Sequence, residues 1–164
     1  MTNEPSFRLR EAVEEDVPRV VRLWGDMMRE HEGFESRLRL SENALPAYEV
    51  YLLMHVRSSR SRVLVAERED GGICGFCCVY VAQNLPMFEP RELGYISDLY
   101  VEPEHRRERI GRALIEAARQ WFREQQVLEL HLQVYVRNEN GLEFWKSQGF
   151  EPFFQRRVLK LEEK

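Results

Sequence analysis

Residues 95–136 constrain what this chain can fold into more than any other stretch. Residues 95–101 alternate like a strand, and Pro103 ends the run. From Ile110 the apolar residues Ala113, Leu114, Ala117, Ala118, Trp121 and Phe122 keep a helical period to about Glu124. Residues 128–136 then alternate apolar with polar again. A helix of that length between two strands predicts a parallel pair joined by a right-handed crossover, which puts the helix start beside the end of the first strand. The connecting turn carries Arg106, Arg107, Arg109 and Arg112, with Glu102, Glu104 and Glu108 among them.

The flanking sequence builds a mixed sheet around that unit. Residues 6–11 read as a first strand, and Asp16 followed by Pro18 reads as the cap and first turn of a helix. Val20, Val21, Trp24, Met27, Met28 and His31 form one helical stripe, best explained by core packing. Ser41 can cap a second helix to about Arg57, with Leu45, Tyr48, Tyr51, Leu52 and His55 on one side, His55 being a packed histidine. Residues 63–67 and 73–81 are β-rich runs joined around Asp70, Gly71 and Gly72, a hairpin signal. Residues 82–92, with Pro86 and Pro90, read as an irregular loop exposing Leu85, Met87 and Phe88. Asn138 caps a last helix that Gly149 can close, and residues 153–161 read as a terminal strand. No repeat or linker interrupts residues 1–164, so a single α/β (α+β) domain is expected, its mixed sheet flanked by helices.

Composition excludes several function classes. A 164-residue chain that is 43% hydrophobic has enough apolar side chain for a core, which rules out disorder. No apolar run approaches the roughly 20 residues of a membrane span. Residues 1–10 have no apolar core of a secretory signal, so a cytoplasmic location is expected. A net charge of −4 and a pI near 5.7 give no global basic field, and no nucleic-acid partner is expected. Cys74, Cys77 and Cys78 lie close together in an apolar run, which reads as buried thiols; no metal site is expected.

The arginine turn is where chemistry is expected. The first N–H groups of a helix lack partners within it and, with the helix dipole, suit a phosphate. Gly111 lets a ligand approach the backbone, and the arginines could pair with a diphosphate.

After the next strand come Asn138, Gly141, Phe144, Trp145, Gly149 and Phe150. The two segments together resemble the GCN5-related N-acetyltransferase (GNAT) family, whose Q/R-x-x-G-x-G/A loop binds the acyl-CoA pyrophosphate and whose N-x-x-A-x-x-x-Y-x-x-x-G-F segment flanks the pantetheine. The resemblance covers nearly the whole chain. It implies the family's fold, with splayed fourth and fifth strands, and acetyl transfer from acetyl-CoA to an amine. Carried over, Arg106 takes the first position of the loop motif, Gly111 the last and Ile110 the apolar position between, with Arg107 and Arg112 beside them. Arg109 stands where the family usually has glycine, and Arg107 where glycine is frequent. If that position takes a positive φ, arginine costs about 1 kcal/mol or more. Main-chain groups of Leu99, Tyr100 and Val101 are expected along the pantetheine, with Asn138 and Trp145 near the cofactor.

Direct attack of a neutral amine on the thioester needs a proton acceptor and a stabilised oxyanion, but no covalent enzyme intermediate. Asp98 is the expected base. The family's tyrosine, seven residues after the asparagine, is replaced by Trp145, whose indole cannot act as an acid at neutral pH; Tyr135, Tyr100 and Tyr95 are substitute donors. A CoA thiol with a pKa roughly like that of cysteine, near 8.5, can also leave unaided. Glu30, Glu32, Glu35, Glu42, Glu49, Glu89 and Glu92 could favour a cationic acceptor. The competing expectation is a non-catalytic acyl-CoA-binding domain on the same fold. A strand near the C-terminus could pair with a second subunit as a homodimer.

Overall fold

A computed structural model describes residues 7–162. Its sheet runs in the order β1-β2-β3-β4-β5, with β1 Phe7–Glu11, β2 Ser61–Arg68, β3 Ile73–Gln83, β4 Glu92–Val101 and β5 Leu130–Leu132. The first four strands pair antiparallel, and β4 pairs parallel with β5. The helices are α1 Val17–Phe34, α2 Ala44–Arg57, α3 Ile110–Glu124 and α4 Glu139–Ser147. The chain forms two compact units, divided between Gln133 and Val134.

In the first unit, α1 and α2 cover one sheet face. Val17, Val20, Leu23, Leu52, Val63, Val65, Phe76 and Cys78 are among the side chains buried there. Ile110, Leu114, Ala118 and Phe122 of α3 are buried as well, so that amphipathic helix hides most of its apolar stripe, with Ala113 and Ala117 half-buried. The β2–β3 hairpin turns through Gly71, whose φ of +83° suits glycine. Its loop closes with the Gly72 N–H donating to Asp70 Oδ1 at 2.9 Å.

Several sequence expectations require correction. Asp16 does not cap α1 through its side chain. Its carboxylate instead accepts from Val13 N–H at 2.8 Å and from both terminal nitrogens of Arg10, at 2.6 and 3.0 Å. Arg10 also reaches Glu67 at 2.9 Å, so Asp16 ties β1 to the turn before α1 and to β2. Ser41 supplies only a carbonyl to Ala44 N–H, and α2 begins without a side-chain cap. The strand expected at residues 128–136 shortens to Leu130–Leu132, and residues 153–161 form neither helix nor strand. Alternation alone builds no strand where the backbone has no neighbour to bond. Ser6 lies outside the described residues.

In the second unit, Asn138 caps α4 as its sequence predicts, its Oδ1 accepting from Gly141 N–H at 2.9 Å. The far end closes with Phe150 N–H donating to the Trp145 carbonyl at 3.0 Å, and Gly149 adopts φ +85°.

Candidate functional site

The site begins with the way β4 leaves β5. The two strands pair only through Gly94↔Leu130, Tyr95↔His131 and Ile96↔Leu132, after which β4 continues to Val101 without a β5 partner. Close approach at the junction depends on Gly94, where a Cβ would stand 2.4 Å from a Leu130 methyl and 2.7 Å from the Phe122 ring. The β3–β4 register also slips, from Val79↔Ile96 to Cys78↔Asp98, which leaves Ser97 as an extra residue.

This bulge changes which backbone groups face outward. Below it Gly94 turns toward β5, its N–H donating to the Glu129 carbonyl at 2.9 Å. Above it Glu102 N–H bonds the Cys74 carbonyl at 2.9 Å. Alternate residues of a strand share a hydrogen-bonding edge, so Asp98, Tyr100 and Glu102 turn to β3, and Leu99 and Val101 turn to the open edge. Without the extra residue, Asp98 and Tyr100 would face the opening. The Val101 carbonyl is taken by Arg106 Nε at 2.9 Å. Leu99 therefore presents both its main-chain groups there, and Val101 its N–H.

That edge leads into the arginine turn and the start of α3. Arg107 has φ +77° and Arg109 φ +64°, both in the left-handed region that favours glycine. The chain thus adopts here the backbone for which the resembling family uses glycine. The side chains of Arg107, Arg109 and Arg112 are exposed and make no hydrogen bond or ion pair among the described residues, while the Arg109 carbonyl accepts the Ala113 N–H at 3.0 Å. Ile110 is buried and Gly111 half-buried. The turn's first half is tied down instead. Glu102 accepts from Arg19 at 2.6 Å, His105 meets Arg68 at 2.9 Å, and Arg106 pairs with Glu30 of α1 at 2.7 Å. Glu102, Glu104 and His105 gather their ligand atoms within 4.8 Å. With two of the three engaged by arginines, that cluster reads as anchoring.

On the α1–α2 face of β4 lies a feature absent from the sequence expectations. Aromatic rings run in an unbroken file from Trp24 to Tyr48 (centroids 4.1 Å apart), Tyr51 (5.5 Å), His55 (4.3 Å), Tyr80 (5.1 Å) and Tyr95 (5.3 Å). His55 is held by Ser61 Oγ at 2.8 Å, and burial lowers its pKa, in keeping with a packed neutral ring. Asp98 sits among these rings with part of its surface accessible, and burial pushes its carboxyl pKa up. Ser97, Tyr48 and Trp24 oppose that shift by favouring the anion. The Tyr48 hydroxyl is buried and lacks a partner at full hydrogen-bond geometry, so its contact with Asp98 is electrostatic more than directional. Burial raises the pKa values of Tyr48 and Tyr51 as well, and keeps both phenols protonated. Helical spacing assigns Trp24, Tyr48 and Tyr51 to the core. The signal that could have marked them was a stripe of ring side chains whose tips are polar.

Tyr95, Asp98, Leu99, Tyr100, Val101 and residues 106–112 all lie in the first unit; Tyr135, Asn138 and Trp145 lie in the second. Tyr135 is exposed and its carbonyl accepts from Asn138 N–H at 2.9 Å. The Trp145 ring packs edge-on against Phe144 and Phe150, at 5.1 and 5.3 Å. The acidic face expected to attract a cationic acceptor is partly neutralised: Glu30 pairs with Arg106, Glu35 with Arg37 and Glu92 with Arg60. A separate cleft of about 490 Å³, lined by Phe7, Arg8, Glu67 and Arg68, lies at the β1 edge, away from β4 and β5.

A family model described as Acetyltransferase (GNAT) family matches residues 21–150. This chain belongs to the GNAT acetyltransferase family. Among GNAT relatives, a cattle (Bos taurus) thialysine N-epsilon-acetyltransferase is 27% identical over 143 residues, covering 86% of this chain and 82% of that protein. The structure of a Bacillus halodurans protein superposes with a TM-score of 0.82 at 28% identity, over 94% of this chain and 99% of the other. A predicted acetyltransferase of Clostridium acetobutylicum, solved with acetyl-CoA, has the same fold with a TM-score of 0.79 at 18% identity, over 94% and 96% of the two chains. The mixed sheet with parallel β4 and β5 is thus the GNAT fold. Among the described residues, no helix is long and apolar enough to cross a membrane.

Proposed function

We propose that residues 1–164 act as one acetyl-CoA-dependent N-acetyltransferase domain, moving the acetyl group to a primary amine by direct attack in a ternary complex. The observation that carries this reading is the bulged β4, whose open edge at Leu99 and Val101 runs directly into an arginine-rich helix start. The α3 N–H groups with Arg107, Arg109, Ile110, Gly111 and Arg112 suit the diphosphate, and the open main-chain groups suit the pantetheine amides. Asn138 and Trp145 are assigned to the cofactor by motif alone.

In this scheme the amine nitrogen forms a bond to the thioester carbon while the C–S bond breaks. CoA leaves as a thiolate, and the amine's extra proton passes to Asp98. Tyr95 and Tyr135 are the candidate donors to the sulfur, because the Tyr100 hydroxyl is taken by Glu30 at 2.9 Å. Because burial pushes the Asp98 pKa up, that carboxylate is a better proton acceptor than an exposed one. A carboxylate among aromatic rings favours a compact alkylammonium, and the name of the cattle relative, a thialysine enzyme, points the same way. We therefore assign the acceptor as an aminoalkyl compound of lysine-like length.

The test is release of free CoA thiol with a panel of thialysine, lysine, polyamines, aminoglycosides and short peptides. Turnover above the no-acceptor blank, greatest for the lysine-like amines, is expected. Acetyl-CoA binding without turnover on any amine would instead support a non-catalytic acyl-CoA-binding domain, the reading that Trp145 favours. We also propose a homodimer. Phe153, Phe154, Val158, Leu159 and Leu161 are all at least 67% exposed, and a second copy would cover them. Light scattering should give twice the chain mass, falling to one when Phe154 and Leu159 are both changed to serine.

A further inference from the structure

The arginines of the β4–α3 turn are divided into two groups by a residue on α1. Arg106 is engaged through two of its three guanidinium nitrogens. Its Nη2 donates to both carboxylate oxygens of Glu30, at 2.7 and 2.8 Å, and its Nε donates to the Val101 carbonyl at 2.9 Å. Its guanidinium lies 5.4 Å from the centre of the Tyr100 ring, whose hydroxyl also donates to Glu30 at 2.9 Å. Earlier on α1, Arg19 donates to Glu102 at 2.6 Å and to the Ile73 carbonyl at 3.0 Å. Positions 19 and 30 are about three turns apart and so share a face of the helix. With two ion pairs of opposite polarity, that face grips the beginning of the turn.

We propose that Glu30 is a positioning residue for the cofactor loop. It keeps Arg106 off the phosphates and uses it to fix the chain, leaving Arg107, Arg109, Arg112 and the α3 N–H groups to meet the diphosphate. This rests on the reading of the turn as the CoA site. The turn holds two non-glycine residues at positive φ, a strained conformation that persists only where neighbouring structure holds it. Anchoring the first half before ligand arrives removes ordering cost from the binding step. Electrostatics allows the opposite role: a carboxylate on a guanidinium competes with phosphate, and Glu30 would then be a brake. The two roles predict changes of opposite sign.

Calorimetric titration of the full chain with acetyl-CoA and with adenosine diphosphate separates them. Glu30→Gln should weaken both ligands about three- to tenfold. The KM for acetyl-CoA should rise in step while kcat at saturation stays unchanged. Arg106→Gln should lose as much, and the double variant no more than either single one, because the two residues act as a unit. Tyr100→Phe, which keeps the ion pair, should show a smaller loss of the same sign, and it carries the test if melting shows Glu30→Gln to be unfolded. Tighter binding by Glu30→Gln overturns the proposal in favour of a brake; unchanged binding or additive losses overturn it outright. If the wild-type protein binds neither ligand, the diphosphate reading falls and takes this proposal with it, whereas wild-type binding that the variants share overturns this proposal alone.

Discussion

Arg109 and Asp98 each carry a local cost that a substitution can expose. Arg109 has φ +64°, where a side chain costs roughly 1–2 kcal/mol that glycine does not. Glycine also loosens the unfolded chain, by about 0.4–1 kcal/mol. Arg109→Gly should therefore stabilise the protein by about 0.5–1 kcal/mol in urea denaturation while weakening acetyl-CoA binding, because it removes a cation at the helix start. Tighter binding would mean that the side chain obstructs the loop. For Asp98 the sign follows from proton linkage. Burial raises its folded pKa, so the folded state holds the proton more firmly than the unfolded state. Stability then falls as pH rises from the ordinary carboxyl range through the raised value, and it stays lower at neutral pH. Asp98→Asn should raise the melting temperature at pH 7, with the gain shrinking toward acid pH. If Asp98 is the base, the same variant also removes the acid limb of the kcat/KM profile. A destabilised variant with an unaltered profile would place the base elsewhere.

At the scale of elements, β4 holds most of what matters. Gly94→Ala sets a methyl against Leu130 and the buried Phe122 ring, where β4, β5 and α3 meet. Overpacking of that kind should cost about 1–3 kcal/mol in chemical denaturation. It should also weaken acetyl-CoA binding by forcing β4 and β5 to shift. Cys74, Cys77 and Cys78 lie buried in neighbouring β3, and burial pushes all three thiols up. A thiol reagent should leave them unmodified in the native protein and label all three in denaturant. The crossover unit was legible beforehand because a long amphipathic helix between two alternating runs has few alternative folds; α3 keeps its expected span, Ile110–Glu124. The bulge at Ser97 was not legible, since side-chain alternation does not record which edge a backbone faces. β5 was overestimated for a related reason. Leu128 and Val136 fit the pattern but are 84% and 82% exposed, and among the described residues no strand follows or flanks the run beyond Leu132. Of the proposed site, Arg106, Gly111 and Asn138 stand at motif positions visible along the chain, whereas the contact of Arg106 with Glu30, seventy-six residues away, has no local signature.

For the whole molecule, net charge and local charge have opposite signs, and this bears on kinetics. The chain carries −4 at neutral pH, yet the proposed cofactor turn presents to solvent the side chains of Arg107, Arg109 and Arg112, which have no ion-pair partner among the described residues. CoA is itself anionic, so at separations near a Debye length, about 10 Å at 0.1 M salt, the protein's net charge opposes its approach weakly, and farther out salt screens it. Within that length the arginines attract it. Added salt weakens both effects, and they act on different steps: long-range repulsion slows encounter, whereas short-range pairing holds the complex. Raising ionic strength from about 0.05 to 0.5 M should therefore leave the association rate of acetyl-CoA nearly level, or raise it slightly, and speed dissociation several-fold. Stopped-flow binding measures both rates. A cofactor turn that worked by long-range steering would show the reverse, with association slowed steeply by salt and dissociation little changed. That outcome would require a positive field larger than this composition provides, and would point to a second subunit contributing basic residues near the turn.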